Sequence, residues 1–155
     1  MGGRLDNADL YRVLYVADRS AGAIAEAFGS FEMWTSAMFG ELPAIPSSVR
    51  ALATYDLADS AAILNLDDAQ ALIEWGLRPS EVVTRERRTT QAWARRIFNS
   101  GRFSGVRWWS FYNPDWASLG LWDYSRLTVR SVERLSPESP QVEEARVYLM
   151  RSWVR

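Results

Sequence analysis

The stretch that decides the fold is Tyr11-Arg12-Val13-Leu14-Tyr15-Val16-Ala17, followed after Asp18-Arg19 by Ser20-Ala21-Gly22-Ala23-Ile24-Ala25-Glu26-Ala27-Phe28. Val13, Tyr15 and Ala17 alternate with Arg12, Leu14 and Val16, the pattern of a strand covered on both faces or nearly so. Asp18-Arg19-Ser20 then offers a cap, the small residues predict a helix over 21–29, and Gly29 closes it. Glu26, set among Ala23, Ile24, Ala25, Ala27 and Phe28, reads as a buried carboxylate. Such a group is costly to keep unless it has work to do, which makes Glu26 the leading functional residue. A strand, a turn and a helix of this length fold back on one another, so Tyr15 and Glu26 are expected to border one cleft. A strand tyrosine is also an ordinary core residue with a polar tip, and the pair gains weight from the alanine-rich setting of the glutamate.

Downstream, Phe31 to Pro46 has no clean period and reads as a short helix and an apolar loop. A second strand is predicted over Ser48–Leu57 and a short one over Ala62–Leu66. Asp67 is placed to cap a helix running through Trp75. Residues 80–100 read as one amphipathic helix, with Val82, Val83, Trp93, Ile97 and Phe98 inward and Arg85, Arg87, Arg88, Arg95 and Arg96 outward, most simply as a solvated face. Phe103–Trp109 and Ser118–Trp122 are expected to form a hairpin. In Trp108-Trp109 the alternation of a strand sends one indole outward or toward a pocket. Leu135–Pro140 is a Ser/Pro linker into a last helix carrying Val142, Ala145, Tyr148, Leu149 and Trp153. Short strands in turn-linked pairs favour an α+β fold, a small mixed sheet with flanking helices, over a doubly wound one.

Composition narrows the chemistry. The 155 residues, 48% hydrophobic and 13% aromatic, suit one domain over 1–155 with a sizeable core. The chain has no cysteine and no histidine, which removes thiolate chemistry, the histidine-based hydrolases and nucleases, and the typical zinc hydrolase. Carboxylates, hydroxyls, phenols and guanidinium groups remain. All 18 basic residues are arginines, through coding bias or because guanidinium forks suit phosphates and carboxylates. A net charge of −1 disfavours a nucleic-acid or anionic-membrane surface. No apolar run approaches the roughly 20 residues that span a bilayer, and the N-terminus lacks signal-peptide order, so a cytoplasmic protein is expected. There is no Walker-type phosphate loop and no dinucleotide fingerprint.

Gly2-Gly3-Arg4, the strand Val13–Ala17, the small-residue helix with Glu26 and, much later, Gly105-Val106-Arg107-Trp108-Trp109-Ser110 occur in an order that resembles the RES-domain family, named for an arginine, a glutamate and a serine. The resemblance is clearest over 2–123, with 135–155 left as linker and C-terminal helix. It implies a fold related to ADP-ribosyltransferases and an NAD-destroying toxin of a bacterial toxin–antitoxin pair, acting by hydrolysis or phosphorolysis. Glu26 and Ser110 would be its catalytic residues and NAD its substrate, with no metal. Arg4 would neutralise the dinucleotide phosphates, Tyr15 would line or stack in the nicotinamide pocket, and Thr89, Thr90 and Gln91 resemble a polar cluster bordering it, so that Thr90 and Gln91 join the cofactor-binding set. An antitoxin of helix-turn-helix type is implied as partner. The resemblance also places the name-giving arginine upstream of Gly2-Gly3-Arg4, where this sequence offers no counterpart. Arg4 or Arg12 is left to serve instead, or the site is silent, and the open sheet edge would invite a partner or a second copy, a homo-oligomer.

Two other readings stay open. A protein ADP-ribosyltransferase would keep NAD, although the apolar residues before Glu26 lean toward breakdown of free NAD. A non-catalytic interaction domain would make Glu26 a satisfied core polar group and use Trp34, Trp75, Trp108, Trp109, Trp116 and Trp122 as a binding hot spot.

Overall fold

The computed structural model describes residues 3–154, so Gly2 of the Gly2-Gly3-Arg4 motif lies outside the described residues. In chain order the elements are β1 (Leu14–Ala17), α1 (Ser20–Phe28), β2 (Met33–Trp34), a 3-10 turn (Ser36–Phe39), β3 (Ala51–Leu57), β4 (Ile63–Asn65), α2 (Ala69–Trp75), α3 (Pro79–Val82), α4 (Arg87–Asn99), β5 (Gly105–Trp109), β6 (Ala117–Leu121), β7 (Leu127–Arg134), α5 (Pro140–Tyr148) and β8 (Ser152–Trp153). The α+β class read from the sequence holds. A four-stranded sheet of order β1-β6-β5-β4 combines two antiparallel pairings with the parallel pair β4/β5, and β3/β7 and β2/β8 form separate two-stranded ribbons.

The expected hairpin forms, with Trp109 opposite Ala117 and Gly105 opposite Leu121. The same register sets Ser118 opposite both Trp108 and Ala17, and Gly120 opposite Tyr15 and Val106, so these residues share one face of the sheet. Gly120 leaves the gap into which Leu5 docks; a Cβ there would strike the Leu5 side chain. Leu5 is fully buried, and it carries the N-terminal segment across the sheet into a core of Leu64, Leu66, Val106, Trp108 and the inner face of α4, Trp93, Ala94 and Ile97. Each large aliphatic side chain so buried contributes about 1.5–3 kcal/mol. A second core joins α1 to α5, with Ile24, Ala25, Phe28, Trp34, Trp116, Val142 and Ala145.

Several local expectations are corrected. The predicted helix over 80–100 is two helices: Pro79 starts α3, Val83 leaves helical geometry, and Glu86 caps α4 by accepting from the Arg88 amide at 3.0 Å. Inward and outward assignments still stand, because both helices pack on the same core. Asp68, not Asp67, caps α2, accepting from Gln70 at 2.9 Å, while Asp67 is ion-paired with Arg107. Asp18 does not cap α1 either; its carboxylate accepts the Ala117 amide at 2.8 Å. Trp153 leaves the last helix and joins β8 beside β2. Strand β7 has no counterpart in the sequence reading. Its apolar residues, Leu127, Val129 and Val132, break strict alternation because a bulge inserts Arg130 opposite the Thr54/Tyr55 step.

Candidate active site

Glu26 projects from the side of α1 opposite the buried side chains of Ala21, Ile24, Ala25 and Phe28. The carboxylate expected to be buried is in fact exposed. Apolar neighbours in sequence point to the core on the other side of the helix, and alanines at 23 and 27 keep the glutamate's own side low and open. The cleft beneath it holds about 390 Å³ and is lined by Gly3, Arg4, Tyr15, Ala23, Glu26, Trp108 and Ser118 among others.

Ser110, just past the end of β5, is buried and donates to Glu26 Oε1 at 2.7 Å while its oxygen accepts the Tyr112 amide at 3.1 Å. Ser118 Oγ lies 3.4 Å from the same carboxylate oxygen. Tyr112 is pushed above the ordinary phenol range, first by burial and then by the negative charge of Glu26.

Arg4 faces this carboxylate. Its guanidinium lies over the Trp108 ring, 5.6 Å from the centroid, and donates to the carbonyls of Val82 at 3.0 Å and Thr84 at 3.1 Å. Those carbonyls are free to accept because the helix breaks between α3 and α4, so the interruption that the sequence hides is what seats the arginine. Burial lowers the Arg4 pKa from its ordinary value, with Glu26 and Tyr15 pulling it back up and Arg87 adding to the depression. A guanidinium has five N–H donors, and two carbonyl bonds leave three for a ligand.

The backbone around Arg4 is clasped from several sides. Thr90 donates to the Arg4 carbonyl at 2.5 Å, Gln91 donates to the Gly3 carbonyl at 3.0 Å, and the Leu5 amide donates to the Tyr15 hydroxyl at 2.9 Å. The same hydroxyl donates to Asp6 at 2.7 Å, and Asp6 also takes the Gly3 amide. Burial and the Asp6 bond together raise the Tyr15 pKa well above its ordinary value. Gly3 fits because a Cβ there would collide with the Tyr15 hydroxyl.

The structure thus brings Arg4, Tyr15, Glu26 and Ser110 together, and it changes the parts played by three of the expected residues. Thr90 is fully buried and, with Gln91, holds the Arg4 loop from behind; neither is among the residues that line the cleft. Thr89 is half-buried on α4. Ser110 stands behind Glu26 rather than in the cleft. Of the two arginines left to meet the glutamate, Arg4 does so and Arg12 is exposed outside the cleft lining. Of the six tryptophans named for an indole hot spot, Trp34, Trp108 and Trp116 are buried and Trp75, Trp109 and Trp122 are half-buried. Sequence reasoning missed Ser118 and the seat formed by Val82 and Thr84. A lone small polar residue in the apolar strand Ala117-Ser118-Leu119-Gly120-Leu121 was the available signal for the first. A larger, mostly aliphatic cleft of about 510 Å³ lies between the four-stranded sheet and the β3/β7 ribbon. Its lining includes Asp18 and Arg19, but the Asp18 carboxylate is committed to the Ala117 amide, whereas Glu26 and Arg4 both line the smaller cleft, so the chemistry points to the smaller one. Among the described residues no cluster of three or more carboxylates could hold a metal ion, and no helix is long and apolar enough to cross a membrane.

Arg4 and Glu26 share one cleft with Ser110 behind the carboxylate, and the profile of the RES domain matches residues 1–142. This chain belongs to the RES-domain family. Among solved structures, a chain of the M. tuberculosis MbcT–MbcA toxin–antitoxin complex is similar, with a TM-score of 0.67 and 20% identity, over 94% of this chain and 77% of that one. The mixed α/β architecture is therefore shared with that structure. No curated protein matches the sequence.

Proposed function

We propose that this RES-domain chain is the toxin of a toxin–antitoxin pair and that it destroys NAD by breaking the nicotinamide–ribose bond. The observation that carries the reading is the Glu26 carboxylate, fixed by Ser110 and open to a cleft whose opposite wall is Arg4 on Trp108.

This geometry suits the chemistry. Nicotinamide leaves as a neutral ring, taking the bonding pair, so no acid is needed to assist it. The ribose is left with oxocarbenium character at C1′, and a carboxylate beside it stabilises that charge and orients the incoming group. Water adds with loss of a proton, or inorganic phosphate adds in its place. Arg4 would take the dinucleotide pyrophosphate with its remaining donors, and the Tyr15 ring, whose hydroxyl is committed to Asp6 and Leu5, would offer its face to the nicotinamide. The step asks for neither histidine nor thiol, in keeping with the composition.

The reading as a non-catalytic domain is less favoured, since Glu26 is not a core residue and three of the six tryptophans it named are buried. In a transferase the acceptor would have to be addressed by a second acidic residue near Glu26, and Ala21 to Ala25 supply none. The structurally similar chain comes from a toxin–antitoxin complex. By the same likeness an antitoxin, expected as a helix-turn-helix protein, would restrain this chain in the cytoplasm where it meets NAD.

The test is NAD loss and nicotinamide release by the purified chain, with and without inorganic phosphate. Glu26→Gln preserves shape and removes the charge, and it is expected to lower turnover about a thousandfold with an unchanged melting temperature. Undiminished release by that variant would remove Glu26 from the mechanism, and phosphate dependence would name the nucleophile.

A further inference from the structure

Two serine hydroxyls address the same oxygen of Glu26, and their surroundings differ. Ser110 is 2% exposed and is not part of the cleft lining; its proton is committed to Glu26 Oε1 at 2.7 Å and its oxygen to the Tyr112 amide at 3.1 Å. Ser118 is also buried, 6% exposed, but it lines the cleft, on the sheet face between Trp108 and Ala17, and its Oγ stands 3.4 Å from Oε1. Hydroxyl-to-oxygen bonds cluster near 2.7–2.8 Å, so the Ser118 proton is held loosely and can turn to a better acceptor.

We propose that Ser118 is the hydroxyl that touches the substrate, gripping a ribose hydroxyl together with Glu26, and that Ser110 is a positioning residue acting through the carboxylate. The proposal rests on the NAD-cleaving reading. Its chemistry follows from what each group can offer. A sugar hydroxyl both donates and accepts, whereas an ionised carboxylate only accepts. Both serines address Oε1, and the carboxylate carries a second oxygen, Oε2, that neither of them uses. A ribose hydroxyl that donates to Glu26 and accepts from Ser118 is held at two points, and the ring is fixed beside the carboxylate. Ser110 cannot share that task, because its donor is already used and its side chain is sealed from the cleft.

Steady-state kinetics of the full chain on NAD separate the two roles. Ser118→Ala is expected to raise KM about tenfold, the equivalent of about 1.4 kcal/mol, with kcat within about threefold of the parent. Ser110→Ala is expected to do the reverse, lowering kcat about tenfold or more at nearly unchanged KM, because the carboxylate loses its orientation. Near-UV circular dichroism, dominated by the tryptophans, checks that both variants keep their packing. Should Ser118→Ala fail to fold, Ser118→Cys keeps the shape with a weak donor and is expected to show the same rise in KM. A Ser118 variant with parental KM, or one that loses kcat alone as Ser110→Ala does, overturns the proposal while the NAD reading stands. Absence of NAD loss in the parent chain overturns the NAD reading, and the proposal falls with it.

Discussion

The Gly3–Asp6 loop and the β3/β7 ribbon make an instructive pair. The loop has no regular secondary structure, yet Thr90, Gln91, Tyr15, Val82 and Thr84 bind its backbone or its arginine, and Leu5 is buried at its centre. The ribbon is long and strand-paired on both sides of its bulge, yet Val129 and Val132 are exposed, its Arg130–Asp56 ion pair sits at the surface, and a cleft lies between it and the main sheet. Rigidity at a site comes from satisfied polar groups and a filled core contact, not from strand or helix geometry as such. The loop that carries Arg4 is accordingly built as a fixture, and the ribbon as a cover.

That contrast can be broken by substitution. Leu5→Ala empties the socket over Gly120 and is expected to cost about 2–5 kcal/mol, with a matching fall in activity as Arg4 comes loose; denaturant unfolding measures it, and a loss below about 1 kcal/mol would mean that the loop is not a fixture. Thr90→Val keeps the volume and deletes the donor to the Arg4 carbonyl, a loss of about 1–3 kcal/mol. On the proposed function its signature is a weaker affinity for NAD with Glu26 untouched, read by calorimetric titration.

Tyr15→Phe releases Asp6 and the Leu5 amide and is expected to cost about 1 kcal/mol near neutral pH. The sign of its pH dependence follows from the raised phenol. Folding holds this group neutral, so its contribution is full below the ordinary phenol pKa of 10 and is lost as pH rises through the higher folded value. Parent and variant melting temperatures should therefore converge as the pH climbs above about 10, and a constant gap would show that the hydroxyl does not titrate with folding. At the other end of the scale, Val132→Thr on the ribbon is expected to change stability by less than about 0.5 kcal/mol and to leave the proposed NAD turnover as it was. A larger effect would make the ribbon part of the working site.

Much of the sheet was legible because local patterns match it. The place of β1, the β5/β6 hairpin and the inward face of α4 follow from period and turn chemistry acting over a few residues, although β1, expected to be covered on both faces, is an edge strand with no buried residue and with Tyr15 exposed. Strand β7 was not legible, since its bulge breaks the period by which a strand is recognised. The break before Glu86 was hidden because two short helices on one core share the inward pattern of a single long one. In the site, Glu26 was found for a reason that the structure reverses: its alanine neighbours mark an open side of the helix rather than a buried one. Ser118 passed unnoticed because a lone serine in an apolar strand is a weak signal until the register shows what lies across from it.

By itself the sequence determined the chemistry available to this protein, carboxylate, hydroxyl and guanidinium without histidine, thiol or lysine, and the mixed α/β class set by short strands and small-residue helices. Which arginine meets the glutamate, which serine stands behind it and which faces the cleft were decided only by the tertiary structure. Composition and period are properties of neighbours along the chain, whereas Arg4, Glu26, Ser110 and Ser118 meet across tens of residues through strand register, the Leu5 socket and two carbonyls released by a broken helix.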